Sequence, residues 1–184
     1  YADYIMNKSL LFINTGNEVI PAKGKTFKDY MRGNIQDVNN KLPKTKDLEI
    51  HLSTIFTELR LKKYIEVRSI DACEWDCHCA GPAFYTGLIY SNLEESLDII
   101  KNWNTNDILN AYIDAPKKGL NTEINKKSIR HWGQIFLNLS KEGLIKRNKI
   151  NKKKQNETIF LKNIENIIKK NKTKAEQTIE SIKN

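Results

Sequence analysis

The stretch Lys62-Lys63-Tyr64-Ile65-Glu66-Val67-Arg68-Ser69-Ile70-Asp71 decides how this chain is read. In an extended strand, successive side chains point to opposite faces. Ile65 and Val67, with Ile70 following, then form an apolar face suited to packing on helices, and Tyr64, Glu66 and Arg68 form the other face. Glu66 and Arg68 stand two residues apart on that second face, roughly 7 Å along the strand. A carboxylate and a guanidinium so spaced can both reach one polyanionic ligand. The carboxylate would bind it through Mg2+, which favours a few carboxylates together with substrate phosphates. The guanidinium would meet phosphate oxygens directly, where its planar fork suits them. An ordinary half-exposed strand carrying a same-face ion pair explains the same spacing, and periodicity alone favours that plainer reading.

Upstream of this strand, Glu58–Leu61 reads as a second extended piece, and Asp47–Phe56 has apolar residues at helical spacing. Residues Tyr1–Asn14 suggest one or two short strands, with Thr15-Gly16-Asn17 as a turn returning through Val19 and Ile20 to Pro21. Thr26 is placed to cap a short helix presenting Phe27, Tyr30 and Met31, and Gly33–Thr45 reads as a connecting loop. Downstream, the pattern turns helical. Gly81-Pro82 opens a helix to about Tyr90, since Pro is tolerated in a first turn. Ser91-x-x-Glu94 resembles a capping box for the next helix, through to Trp103. Thr105 caps another, ended by Pro116 and Gly119. Ser128–Glu142 is the clearest amphipathic helix, with Gly143 closing it. Lys146–Asn156 reads as a surface loop, Thr158–Lys170 as a core-facing helix, and Thr173 as the cap of a helical tail. The order predicts an α+β fold with an antiparallel sheet: residues 1–71 mainly strands and hairpins, residues 72–184 mainly helices.

A chain of 184 residues, 39% hydrophobic and 29% charged, fits one domain or a large part of one. Its longest apolar runs fall far short of the roughly 20 residues that cross a bilayer, so no membrane partner is expected. No basic-then-apolar signal segment opens the sequence. The chain starts at Tyr1 without an initiator Met, which suggests a fragment whose N-terminal part is missing. The net charge of +9 is uneven: residues 1–116 hold 13 Lys/Arg and 16 Asp/Glu, whereas residues 117–184 hold 18 and 6. A basic tail can mark nucleic-acid contact. This one lacks the aromatic interleaving of single-strand platforms, so nucleic acid is a secondary reading.

Three cysteines cluster as Cys73-x-x-x-Cys77-His78-Cys79. Zinc takes such ligands, but structural zinc sites pair two knuckles across a loop, and this chain has one. Odd, clustered thiols without an export signal point to a reducing cytosol and a cytoplasmic location.

The continuous stretch from His51 to Asp71, HLSTIFTELRLKKYIEVRSID, resembles the glutamate–cysteine ligase family, also called gamma-glutamylcysteine synthetase. The plant and alpha-proteobacterial branch is the most similar, with a pattern close to HLTT-hydrophobic-FPEVRLKRYLEMRGAD. The likeness extends through Trp75 and Cys79-Ala80-Gly81-Pro82-Ala83-Phe84-Tyr85, where the family tends to show CALPAFW. It reaches back to Tyr1-Ala2-Asp3-Tyr4, similar to the family's YVDYAL, and stays in register to Phe160-Leu161. Thr57 stands where the family usually has Pro, and Leu59 where it has Val; both are tolerable on a strand lead-in.

The resemblance implies the C-terminal part of a catalytic domain with a glutamine-synthetase-like fold, an antiparallel sheet forming a funnel that holds metal ions. It implies L-glutamate, L-cysteine and ATP as substrates. ATP would phosphorylate the side-chain carboxylate of glutamate, and the amine of cysteine would attack the acyl phosphate, the first step of glutathione biosynthesis. By the matching Y-[IL]-E-x-R motif, Glu66 would be a Mg2+ ligand and Arg68 would face the transferred phosphate. Tyr1, Tyr4, Arg60 and Trp75 are candidates for lining the substrate pocket, and each is equally explained as packing. The family's other metal-binding carboxylates lie upstream, so residues 1–184 alone are expected to be inactive. Plant members carry a redox disulfide in the region matching Ala22–Asp37, where this chain has no cysteine. Cys79 matches a family position read as small and buried. A related ligase with another amine acceptor is the neighbouring alternative.

Overall fold

The computed structural model describes residues 1–38, 41–71 and 73–183. The chain divides into two compact units, Tyr1–Asp71 and Ala72–Asn184.

In the first unit, α1 (Ala2–Met6) leads into a hairpin of β1 (Phe12–Asn14) and β2 (Val19–Pro21), with Ile13 opposite Ile20. The start of the chain was read as strand; it is helical instead, and Ile5 is its one buried residue. The helix α2 (Phe27–Met31) begins where Thr26 accepts from the Asp29 amide while the Asp29 carboxylate accepts from the Thr26 amide, a reciprocal cap. Phe27 and Tyr30 are buried, but Met31 is exposed. The connecting loop read over Gly33–Thr45 contains a 3-10 turn at Gln36–Val38, and its residues 39 and 40 lie outside the described residues. Helix α3 (Thr45–Ser53) follows. Leu10, Ile13, Ala22, Phe27, Tyr30, Ile35 and Val38 form the core, with Met6, Ile20 and Leu48 against it. His51 is fully buried on α3, stacked 5.0 Å from the Phe27 ring, with Nε2 2.9 Å from the Ile5 carbonyl oxygen.

A second hairpin joins β3 (Leu59–Leu61) to β4 (Ile65–Val67). The two hairpins of this unit are separate two-stranded sheets, so the described residues contain no continuous larger sheet. The apolar face expected to pack on helices is largely uncovered: Ile65, at 68%, and Ile70 are exposed, as are Leu59 and Leu61 beside them, and Val67 is half-buried. Only Arg60 on the opposite face is buried in the hairpin.

The second unit is helical, ordered α4 (Ala80–Ser91), α5 (Leu93–Lys101), α6 (Thr105–Lys118), α7 (Ile129–Arg147), α8 (Lys162–Lys170) and α9 (Lys174–Lys183). A small hairpin, β5 (Glu123–Ile124) and β6 (Lys127–Ser128), precedes α7. Its turn residues Asn125 and Lys126 both take positive φ, +49° and +60°. Asn-Lys carries a weaker turn signal than Asn-Gly, which is why the sequence did not announce it. Among the described residues, no helix is long and apolar enough to cross a membrane.

Three expected helix ends fall elsewhere. Asn104, not Thr105, caps α6, its side-chain oxygen accepting from the Asn106 and Asp107 amides. Asn92, not Ser91, caps α5, and it does so without its side chain, because Nδ2 donates to the Leu139 carbonyl and Oδ1 accepts from Lys146. Gly143 does not close α7, which runs on to Arg147. It is there for packing: a Cβ at 143 would sit 2.0 Å from the Gly87 carbonyl oxygen, and one at 87 would sit 2.2 Å from the Ser140 carbonyl oxygen. Helices α4 and α7 therefore meet backbone to backbone, and Ser140 Oγ donates to the Phe84 carbonyl across the same contact, at 2.8 Å. Ala83, Leu137, Leu144, Leu161 and Ile168 surround this crossing. Pro116 lies inside the last turn of α6, and Gly119, at φ +53°, ends it.

Candidate functional site

The β3–β4 hairpin places Arg60 directly opposite Glu66, so the two side chains rise from the same face. Arg60 Nε donates to Glu66 Oε2 at 2.6 Å, and Arg60 Nη1 donates to the Ser53 carbonyl oxygen at the end of α3, also at 2.6 Å. Arg68 Nη1 reaches the same Oε2 at 3.5 Å, the outer limit of a hydrogen bond. The backbone amide of Arg68 extends the ladder by donating to Glu58 O at 2.7 Å. Its guanidinium lies 5.6 Å from the centre of the exposed Phe56 ring, a cation–π distance.

Glu66 is thus flanked by two arginines and leans on one of its oxygens for both. The Arg60 hydrogen bond, aided by the charges of Arg60, Lys62 and Arg68, holds its carboxyl below the usual value of 4.5 against the opposing effect of partial desolvation. It is ionised at neutral pH. With Glu66 and Arg68 each 29% exposed, the face offers solvent one carboxylate and one guanidinium, backed by a buried second guanidinium. The cluster of one anion and two cations, with Lys62 nearby, suits an anionic ligand.

The remaining predicted residues are distributed as follows. Tyr1 is joined to the hairpin, its hydroxyl accepting from the outward-pointing Leu61 amide at 3.1 Å. Tyr4 is half exposed on α1, with Lys8 Nζ 4.4 Å from its ring centre. Trp75 belongs to the second unit, in a 3-10 turn at Trp75–Cys77, where its indole is 89% exposed and 5.5 Å from the His78 ring. Sequence reasoning did not single out Phe56 or the Ser53 carbonyl. Arg60 was placed in the pocket lining; its position opposite Glu66 follows from counting residues equally on both sides of Lys63.

The cysteines differ from expectation. Cys73 and Cys77 are joined in a disulfide, not free thiols, because the intervening turn brings their Cα atoms to 6.1 Å, within bridging range. Cys79 is exposed, not buried, since it lies just before α4 and its side chain takes no part in capping it. Among the described residues, no three His, Cys, Asp or Glu side chains gather closely enough to hold a metal ion by themselves.

The first unit thus presents, on a short strand pair, an ionised carboxylate beside arginines, and it is joined in sequence to a helical unit. The model of glutamate-cysteine ligase family 2 matches residues 10–181, and the chain belongs to that family. It is 32% identical over 182 residues to the chloroplastic glutamate–cysteine ligases of Nicotiana tabacum and Arabidopsis thaliana. It is 33% identical over 183 residues to glutamate–cysteine ligase A, chloroplastic, of Oryza sativa subsp. indica. These alignments cover 97–98% of this chain but 34–36% of the relatives, so the chain spans about a third of the length of the curated relatives it matches. Their chloroplastic names overturn the cytoplasmic expectation. Cysteine usage reports on redox conditions rather than compartment, and a plastid address is an Arg- and Ser-rich transit peptide, a different signal from the secretory one sought.

Proposed function

We propose that this chain supplies part of the active site of a glutamate–cysteine ligase that uses ATP to couple the side-chain carboxylate of L-glutamate to L-cysteine through an acyl phosphate. The observation that carries this is the ionised Glu66 side chain, engaged through Oε2 by Arg60 and Arg68, at the position where family members show their Glu-x-Arg motif. On the family's motif, Glu66 would be one ligand of Mg2+, which needs few protein carboxylates when phosphates and water complete its shell. Bound there, Mg2+ would neutralise phosphate charge during transfer. Further ligands would come from elsewhere in the longer protein, as would a glutamine-synthetase-like sheet to which β3 and β4 add.

Arg68 has the exposure and the planar fork to follow the moving phosphoryl group, and its contact with Glu66 is long enough to exchange for a phosphate oxygen. Phosphoryl transfer is catalysed mostly by positioning and charge neutralisation, which these two side chains supply. Tyr1, beside β3, and Trp75, with its exposed indole, are offered as pocket residues on family grounds, as is Tyr4. The names of the relatives also support a plastid location. In the full-length protein, ATP-, glutamate- and cysteine-dependent formation of the dipeptide is the test. Glu66→Gln and Arg68→Ala are each expected to reduce turnover by about 100-fold or more with the fold intact. Near-parental turnover in either variant removes that residue's role.

A further inference from the structure

The first unit holds a pocket of about 350 Å3 lined by the β1–β2 turn, α2 and the first turn of α3. Lys41, Lys44 and Lys46 line it, and none of the three has an ion-pair partner among the described residues. Asp47 is the acid of the lining, and its Oδ2 is taken by the Lys44 amide at 2.7 Å. Three ammonium groups facing one carboxylate leave two positive charges uncompensated. Helix α3 adds the positive end of its dipole, and the Thr45 and Lys46 amides of its first turn make no hydrogen bond among the described residues. Tyr30 brings a different kind of donor. Its side chain is 5% exposed, yet it lines the pocket, and its hydroxyl has no hydrogen-bond partner among the described residues. Burial, with the charge of Asp47, pushes that hydroxyl above its ordinary value of 10, so it keeps its proton and can donate it to a ligand.

We propose that this pocket binds a small phosphate-type dianion, with the three lysines supplying charge and Tyr30 donating the hydrogen bond that fixes the ligand in place. The charge balance selects the class. A phosphomonoester carries about −1.5 to −2 charges at neutral pH, which answers both uncompensated positive charges, whereas a single carboxylate would leave one unmet. Lysine binds phosphate as a point charge, without the planar geometry a guanidinium imposes. The volume lies at the small end of ligand pockets, with room for a phosphoryl group on a short organic stem. The site is also separate from the Glu66 cluster. It lies at the N-terminal end of α3, and Arg60 is anchored to Ser53 at the other end, about 12 Å away along the helix.

The test is isothermal titration calorimetry on the full-length protein, with inorganic phosphate and glycerol phosphate as probes. The parent is expected to show a saturable class of sites that weakens about 10-fold in Tyr30→Phe, the loss of one hydrogen bond to a charged acceptor. Lys41→Gln, Lys44→Gln and Lys46→Gln combined are expected to abolish that class. Lys152→Gln, Lys153→Gln and Lys154→Gln, on an exposed turn of the second unit, remove the same charge and are expected to leave it unchanged. Phosphate held elsewhere in the protein persists in every variant, so the class that disappears marks this pocket. Tighter binding of glycerol phosphate than of phosphate assigns a phosphomonoester as the ligand; equal or weaker binding assigns free phosphate. Parental affinity in Tyr30→Phe, or equal loss in the two triple variants, overturns the proposal and leaves an adventitious ion only. A parent with no class that is lost with Lys41, Lys44 and Lys46 overturns it as well. Urea midpoints check that the variants fold, and if Tyr30→Phe does not, the comparison of the two exposed-lysine variants decides.

Discussion

Replacing Gly143 by Ala tests whether the second unit is held together by a backbone-to-backbone crossing. The added Cβ would lie 2.0 Å from the Gly87 carbonyl oxygen and within 3.2 Å of the Gly87 Cα. A carbon atom approaches a carbonyl oxygen to about 3.3 Å at closest, so α4 and α7 would have to part by roughly 1.3 Å. No side chain can rotate away, because the obstructing atoms are backbone. Overpacking costs about 1–3 kcal/mol where side chains can adjust, and more where they cannot. The better helix propensity of Ala returns about 1 kcal/mol. The net expectation is a loss of about 2–3 kcal/mol. Gly133, on the same helix, provides the control: its added Cβ would meet Ile168 Cδ1 at 3.4 Å, an ordinary contact. Gly133→Ala should therefore be neutral or stabilising by up to about 1 kcal/mol. Urea unfolding followed by the fluorescence of Trp103 and Trp132, which pack 5.0 Å apart in this unit, reads both variants. Equal midpoints for Gly143→Ala and Gly133→Ala would refute the close-crossing argument.

Other outcomes follow from the first unit and the cysteine turn. Thr26→Ala removes the reciprocal cap of α2 and should cost about 1 kcal/mol in a urea titration; an unchanged midpoint would show that the cap is redundant. Glu66 has a folded-state carboxyl held below 4.5 by Arg60, so the stability it adds is complete above that value and is lost as pH falls through the lowered one. The gap in unfolding free energy between the parent and Glu66→Gln should accordingly close in acid, and a gap independent of pH would contradict the ion pair. Without reductant, the chain should titrate one thiol, Cys79, and after reduction three. Three thiols before reduction would exclude the Cys73–Cys77 bridge.

Much of the architecture was legible because it is local. Thr15-Gly16-Asn17 turns β1 into β2, Thr26 and Thr173 each cap a helix, and the apolar spacing after Ser128 marks α7. What escaped the sequence is what distant contacts decide. Gly143 looked like a helix stop, since a glycine's local effect is to end helices; its partner Gly87 lies 56 residues away and only the packed unit brings the two together. Ser91 and Glu94 matched a capping pattern, but the tertiary demands of Leu139 and Lys146 on Asn92 set the boundary. At the site, alternation put Glu66 and Arg68 on one face, and they do share an oxygen contact. Arg60, the stronger partner of Glu66, meets it through the cross-strand register of β3 and β4, which alternation within β4 alone does not show.

The hydroxyl of Tyr1 has a consequence for solubility. A two-stranded sheet leaves both outer edges with unpaired amides and carbonyls, a template on which another chain can add a strand. In β3–β4 that hazard is joined to an exposed row of Leu59, Leu61 and Ile65. Tyr1 occupies the outward Leu61 amide, a single side chain standing where a neighbouring strand would bond. It covers part of one edge, so Tyr1→Ala should be the variant that precipitates or forms fibres, read by light scattering.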